Sequence, residues 1–472
     1  MASTLPQRWV GAWAAQPLRE ALCVHGEQAE RFTGEALAHL TARIAQELAH
    51  EGVAAGDRVV WEAAISSEAI VSALAVIRLG AVLVPVATFQ SDLERQRVLD
   101  DVDPVVALAT KRPGVGDKVR HRTAGLLNTA VAEVELDCAQ GDDLAFIIYT
   151  SGTTGVPKGA MVSHANVAAQ ASMIIDSWGI TPEDRLLSAL PLFHVHGLIV
   201  ALMISLGAGA GVVVADRFDA GAFTDLLGVE AITTTYLVPT MLQRIAENSL
   251  LRALSPLRLA VSGSAPLPKD LFEAVEAHSG QRILERYGMT ETLLTISNPL
   301  DGERRAGTVG LALPGVELRL PADGEEAELF VKSPTVFQGY WNKPEATAEV
   351  LADGWMRSGD IVRLDAKGYV VVCGRSKELI ISGGFNVYPS EIEDLLRGVA
   401  GIADVAVVGV ASERWGEAVV AYVVGDDFDE AQARLQMAEL VSPYKRPQEY
   451  RKIAELPRNA LGKLQRHLLR GP

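Results

Sequence analysis

Tyr149-Thr150-Ser151-Gly152-Thr153-Thr154-Gly155-Val156-Pro157-Lys158-Gly159 follows directly on the apolar run Leu144 to Ile148. The run predicts a buried strand, and the stretch after it predicts a ligand-gripping loop. Its glycines free the backbone to turn sharply and to approach a ligand closely. The hydroxyls of Thr150, Ser151, Thr153 and Thr154 and the exposed N–H groups supply donors, and Lys158 adds a positive charge. Those are the parts of a polyphosphate cradle. No Gly-Lys-Ser/Thr follows at Walker spacing, so this is a different phosphate loop. An ordinary Gly/Ser/Thr surface turn is the competing reading. The length of the stretch, its density of hydroxyls and its place after a buried strand speak against that.

Working outward, the first third alternates helical and strand patterns. Leu37, Leu40, Ile44 and Leu48 share one helical face, and Gly52 and Gly56 supply stop and turn signals. Val59 to Ala64 predicts a strand, Ala69 to Leu79 a helix ended by Gly80, and Ala81 to Val86 a buried strand. Strand–helix–strand units of this kind imply a largely parallel sheet covered on both faces. The rhythm returns at the helical Pro239 to Leu251 and the strands Leu259 to Val261 and Arg282 to Leu284. From Gly315 the texture changes to short strands with turn punctuation. After a plausible boundary at Gly374 to Lys377, an α+β pattern takes over: helix Ser390 to Leu396, strands near Val405 to Val410 and Ala418 to Val424, helix Glu430 to Leu440.

Composition narrows the partners. The 472 residues include 43 Lys+Arg against 59 Asp+Glu, a net charge of −16. That field repels nucleic acid and anionic membrane, though it leaves room for a local basic pocket. Cys23, Cys138 and Cys373 lie far apart without metal-ligand spacing, which argues against a disulfide framework or structural zinc and fits a reducing cytoplasm. Met1 to Gln16, broken by Pro6, Arg8 and Gly11, does not read as a secretory signal. Gly197 to Ala215 is uncharged, but Gly207, Gly209 and Gly211 interrupt it, so a buried helix, a glycine turn and a core strand are expected in place of a membrane span.

With the rest of the chain in view, the phosphate loop resembles the signature of the adenylate-forming superfamily: acyl-CoA synthetases, luciferases and the adenylation domains of peptide synthetases. The series continues in order. Tyr287-Gly288-Met289-Thr290-Glu291 resembles the aromatic–glycine–x–Thr–Glu motif, and Ser358-Gly359-Asp360 the ribose-binding aspartate. Gly374-Arg375-Ser376-Lys377-Glu378 resembles the hinge, and Pro457-Arg458-Asn459-Ala460-Leu461-Gly462-Lys463 the C-terminal lysine motif. The resemblance spans essentially the whole chain. It implies an α/β fold: a large N-terminal adenylation domain, residues 1–376, of mostly parallel sheets flanked by helices plus a short β-barrel-like part, and a small mobile α+β C-terminal domain, residues 377–472.

The implied chemistry has two steps. A carboxylate attacks the α-phosphate of ATP to give an acyl-AMP and pyrophosphate, and the thiol of CoA then displaces AMP. Both pass through crowded negative charge, which calls for cations and aimed donors. The resemblance makes Lys463 the bridge between carboxylate and α-phosphate, a task suited to a compact point charge. Thr290 donates to the α-phosphate and Glu291 is the Mg²⁺ ligand, since magnesium favours carboxylate oxygen beside substrate phosphate. Tyr287, with Gly288, presents a face to adenine opposite Ser262-Gly263-Ser264-Ala265-Pro266, while Asp360 and Arg375 hold the ribose. For the second step the small domain turns about Lys377, bringing Gly383 and Gly384 beside the pantetheine channel. Trp415 and Arg446 match positions that contact the CoA nucleotide; packing is the rival role for Trp415.

Two stretches should line the acid pocket. Leu192-Phe193-His194-Val195-His196-Gly197 resembles the family's substrate gate, which makes His194 a catalytic candidate and His196 a substrate contact; Met289 joins them from the other side. If this stretch is a strand, the two histidines face one side, but no third metal ligand accompanies them. No aspartate stands here to meet an amino group, which disfavours amino acids. Glu285-Arg286-Tyr287, with Arg305-Ala306-Gly307-Thr308-Val309-Gly310, resembles the malonyl-CoA synthetase branch, where the arginine receives the second carboxylate of the acid. Alternatively Arg286 pairs with Glu285 or another acid over an apolar pocket, and Gly383 to Glu393 resembles aryl and fatty acyl ligases more. The expectation is an acid–CoA ligase for a malonate-like or short substituted acid. An aryl or medium-chain fatty acid ligase, or a stand-alone enzyme loading an acyl carrier protein, remains open.

Overall fold

The computed structural model describes residues 4–109, 134–150, 157–322, 325–376, 378–382, 387–412, 414–441, 443–458 and 464–470, with backbone only at 120–123 and 385–386. Contacts divide the chain into two compact units, one of residues 1–318 with 331–356 and one of 319–330 with 357–472.

Two sheets organise the larger unit. The six-stranded one runs Arg120–Thr123, Val106–Ala109, Arg58–Glu62, Val82–Val86, Leu144–Thr150, Lys158–Ser163, parallel except at the last pair. The helix Ser67–Leu79 connects two of its parallel strands. Ser66 caps it by accepting the Ala69 N–H, and Gly80 stops it at φ +82°, a left-handed geometry that suits glycine. Every residue of Val82–Val86 is buried, as expected for a strand covered on both faces. The helix Gly34–His50 turns Leu37, Ile44 and Leu48 inward as the sequence spacing requires.

The nine-stranded sheet carries Arg185–Ser188, Thr234–Leu237, Leu259–Ser262 and Leu284–Met289 side by side and parallel. The uncharged Gly197 to Ala215 stretch lies within it and beneath it. It forms a π-helix His196–Met203, a helical turn Ile204–Gly207 and the buried strand Gly211–Ala215. Among the described residues no helix is long and apolar enough to cross a membrane. Cys23 is buried and Cys138 exposed, and all three cysteines are free.

In the smaller unit, Asp360 to Leu364 at the end of the strand Trp355–Leu364 pair antiparallel with Val370–Arg375. A second sheet runs Phe385–Val387, Ile380–Ser382, Gly416–Val424, Asp404–Ser412, with Glu449–Lys452 alongside Gly416–Val424. The helices Pro389–Arg397 and Glu430–Leu440 complete this unit, and Ile392, Leu396, Val407, Val419 and Met437 are part of its core.

Candidate active site

The predicted phosphate loop is flanked by two described strands. Leu144–Thr150 and Lys158–Ser163 pair antiparallel with Thr150 opposite Lys158, whose carbonyl lies 3.5 Å from Thr150 Oγ1. Gly159 is required at this stem, since a Cβ there would lie 2.6 Å from Ile147 Cγ2. The predicted Ser151, Gly152, Thr153, Thr154 and Gly155 fall outside the described residues. The Lys158 ammonium stands 5.1 Å from the ring centroid of Tyr340, a cation over an aromatic face. Tyr340 was not legible as a site residue. It is brought in by backbone pairing of its neighbours, Met161 N–H to Gly339 carbonyl and Trp341 N–H to Gly159 carbonyl, at 2.9 and 2.8 Å.

The phenol of Tyr340 donates to Glu291 Oε1 at 2.8 Å. Glu291 is buried, and among the described residues this is the hydrogen bond its carboxylate accepts. A carboxylate held through one oxygen by a neutral donor leaves its other oxygen for a hard cation, so the donor set fits magnesium. Glu291 sits in the turn between Leu284–Met289 and Leu293–Ser297. Gly288 makes that hairpin possible: a Cβ there would fall 2.1 Å from the Leu293 carbonyl oxygen. Tyr287, Met289 and Thr290 are half-buried around it.

The parallel strands of the nine-stranded sheet end together, and ligands of open α/β sheets bind at such carboxyl ends. Ser262, buried, closes Leu259–Ser262 opposite Glu285. Gly263 then lies flat on the next side chain over: a Cβ would meet Arg286 Cζ at 2.4 Å. Ser264 holds φ +71°, and it is exposed with Ala265 and Pro266. His196 Nδ1 is 3.2 Å from Ser264 Oγ, and the imidazole stacks on Tyr236 at 6.2 Å. Burial, with Arg286 and His194 nearby, holds His196 well below its ordinary pKa, so it is neutral. The strand premise for the two histidines fails here. His196 opens the π-helix, and the Leu198 N–H bonds back to the His194 carbonyl at 2.8 Å. The apolar run Leu198 to Met203 satisfies its backbone internally in that form.

Arg286 is the buried cation beside Gly263 and His196. Its side chain is buried, and among the described residues Nε and Nη2 have no hydrogen-bond partner. The alternative pairing with Glu285 is not formed. Adjacent residues of a strand point to opposite faces, and Glu285 Oε1 instead accepts the Leu267 N–H at 2.9 Å. Burial pushes the Glu285 carboxyl up to about 8, so it is protonated near neutrality and offers no countercharge. Burial also draws the Arg286 guanidinium down to about 10, which still leaves it cationic. An unpaired buried guanidinium is costly unless an anion completes it.

In the smaller unit, Asp360 and Arg375 face each other across the antiparallel pair, with Arg375 Nε 2.9 Å from Asp360 Oδ1. Asp360 is buried, and its N–H donates to Ser358 Oγ at 3.0 Å, while that hydroxyl donates to the Leu329 carbonyl at 2.7 Å. Trp415 is half-buried with the Arg414 guanidinium 5.0 Å from its ring centroid. Arg446 is engaged elsewhere: Nε and Nη2 donate to the carbonyls of Val441 and Ala438 at 3.0 and 2.9 Å, at the end of Glu430–Leu440. Lys377, Gly383, Gly384 and Lys463 fall outside the described residues.

Comparison with known proteins gives the family. The family model described as AMP-binding enzyme matches residues 10–341, and the one described as AMP-binding enzyme C-terminal domain matches 391–463. The chain belongs to the AMP-binding enzyme family. Within it, the chain is an enzyme of the ATP-dependent acyl-CoA ligase class. An indoleacetate–CoA ligase of Aromatoleum aromaticum is 38% identical over 91% of each chain. A malonate–CoA ligase of Arabidopsis thaliana is 34% identical over 88% of this chain and 78% of its own. The crystal structure of ATP-bound MatB from Rhodopseudomonas palustris superposes with a TM-score of 0.93 at 35% identity, covering 100% of this chain and 98% of that one.

Proposed function

We propose that this enzyme joins CoA to a short acid bearing a second anionic group, malonate or a small substituted relative, by way of an acyl-adenylate. The observation that carries the reading is Arg286, a buried cation with free donors beside a neutral His196 and a protonated Glu285. A second carboxylate presented to that fork gains two charge-assisted hydrogen bonds, whereas an apolar acid leaves the charge stranded.

In the first step the reacting carboxylate attacks the α-phosphorus of ATP and pyrophosphate leaves. Lys158 and the hydroxyls of the phosphate loop hold the polyphosphate, Thr290 donates to the α-phosphate, and Lys463 neutralises the charge gathering between the reacting oxygens. Glu291, held by Tyr340, is the residue that would take Mg²⁺, which supplies charge neutralisation on the departing phosphates. Tyr287 and the loop Ser262 to Pro266 flank adenine, and Asp360 with Arg375 take the ribose hydroxyls. In the second step the domain 377–472 turns about Lys377, the CoA thiol attacks the acyl carbon and AMP departs. Gly383 and Gly384 leave room for pantetheine, with Trp415 against the nucleotide end. Arg446, whose donors already serve carbonyls, supports that surface from behind.

The similarity to an indoleacetate–CoA ligase favours a second reading, an aryl acid, in which Arg286 would need a countercharge that the described residues around it do not supply. A panel of malonate, methylmalonate, sulfoacetate, propionate, benzoate and indoleacetate with ATP and CoA, followed as AMP and thioester, decides. Dianionic acids should lead by roughly a hundredfold in kcat/KM. Preference for benzoate or indoleacetate overturns the acid assignment, and AMP without thioester overturns CoA as acceptor in favour of a carrier protein.

A further inference from the structure

Three residues beyond Lys463 stands Arg466, whose guanidinium joins two acids from distant parts of the sequence. Nη1 lies 2.9 Å from Glu378 Oε2, and Nη2 lies 2.9 and 2.8 Å from the two oxygens of Glu393. Glu393, on the helix Pro389–Arg397, is buried, and its Oε1 also accepts the Val407 N–H at 2.7 Å. Glu378 immediately follows Lys377.

The described residues on either side of 459–463 are joined to each other. Arg458 and Leu464 form an antiparallel bridge, and the Gln465 N–H donates to the Pro457 carbonyl at 2.8 Å. Arg458 reaches Asp404 Oδ2 at 2.6 Å. One stem of the loop is thus tied to the strand Asp404–Ser412, and the other, through Arg466, to both Glu393 and Glu378.

We propose that Arg466 is a positioning residue for Lys463: its bridge between Glu393 and Glu378 locks the lysine loop to the first residue beyond the hinge, so that both turn as one lever. The proposal rests on the roles given above to Lys463 and Lys377. A guanidinium can hold two carboxylates at fixed angles, which a lysine in its place cannot. Because Glu378 lies just past the pivot, the clamp converts a rotation about Lys377 into a defined arrival of the ammonium at the reacting oxygens. Such placement matters steeply, since about 1 Å of error can cost roughly a hundredfold in rate. The thioester step, in which the lysine is swung away, does not call on the clamp.

The test separates the two half-reactions in the full-length enzyme. Adenylation is read as acid-dependent exchange between pyrophosphate and ATP, and thiolation as thioester formed from the prepared acyl-adenylate and CoA, both with the acid the wild type turns over fastest. Arg466→Lys, which keeps the charge and loses the fork, should lower exchange by about ten- to a hundredfold through kcat, with KM for ATP unchanged. Thiolation should stay within about twofold. Glu378→Gln, a milder change at a partly exposed site, should shift exchange in the same direction, and both variants should keep the wild-type melting temperature. Equal losses in the two half-reactions, losses that follow the melting temperature, or no loss at all overturn the proposal. Lys463→Ala, run alongside, checks the underlying assignment: if its exchange survives, the lysine role itself falls, whatever Arg466 does.

Discussion

Tyr340 and Glu291 are joined by a buried hydrogen bond of 2.8 Å, while the other side of the tyrosine, its ring face, receives the Lys158 ammonium at 5.1 Å. One side chain therefore sets the separation between the cation of the phosphate loop and the carboxylate proposed for magnesium. Tyr340→Phe keeps the ring and removes the donor. Half-saturation by Mg²⁺ should rise by roughly ten- to a hundredfold. The weakening should also be visible without turnover, as looser Mn²⁺ binding to the ATP complex by electron paramagnetic resonance. Unchanged metal binding would falsify the positioning role.

Arg286 trades stability for recognition. Arg286→Met removes a buried charge that has no carboxylate partner among the described residues, and should stabilise the ligand-free protein by about 1–4 kcal/mol, seen as a higher melting temperature, while abolishing the preference for dianionic acids. Gly263→Ala approaches the same group from the backbone, because the new methyl displaces the guanidinium. It should weaken malonate use and leave ATP binding intact. If the Met variant melts lower and keeps its acid preference, the charge has another partner.

Glu285 gives stability a pH dependence of known sign. Its carboxyl titrates near 4.5 when unfolded and about 8 when folded. Between those values the folded chain holds a proton that the unfolded chain has released, so this group's contribution is full at low pH and is lost as pH rises towards 8. Glu285→Gln cannot release that proton. Denaturant midpoints from pH 5 to 9 should fall more steeply for the wild type, with a difference of about a few kcal/mol at the alkaline end. Parallel curves would show that Glu285 is ionised in the folded state.

The Asp360–Arg375 pair offers a simpler reading. Asp360→Asn removes the charge that aligns Arg375 and weakens the acceptor offered to ribose. KM for ATP should rise about tenfold or more, the size expected for a hydrogen bond involving a charged group. KM for the acid should not move.

Much of this was legible because the signals are local. The strand before the phosphate loop, the capped helix Ser67–Leu79 with Gly80 behind it, and the exact span of Glu430–Leu440 follow from periodicity and turn residues within a few positions. The order of motifs from Thr150 to Asp360 and Arg375 named the candidate site residues for the same reason. Tyr340 was not legible, since it acts across 49 residues on Glu291 and nothing in Gly339-Tyr340-Trp341 announces a partner. The returning strand Lys158–Ser163 was hidden because Lys158 reads as the end of a loop. The π-helix was invisible because Leu198 to Met203 is apolar on all sides and so has no period. The bonds of Arg446 Nε and Nη2 to the carbonyls of Val441 and Ala438 were likewise not legible, since only the fold brings those groups near.

That π-helix has an evolutionary corollary. Each of its turns accommodates about one residue more than an α-helical turn, and it begins with His196, the residue proposed to contact the acid. Deleting a single residue between His196 and Met203 lets the segment relax to ordinary helical winding while the buried strand Gly211–Ala215 keeps its register. The slack is taken up at the pocket end. A one-residue insertion or deletion here would therefore be expected to move His196 as a unit, a change that single point substitutions do not make.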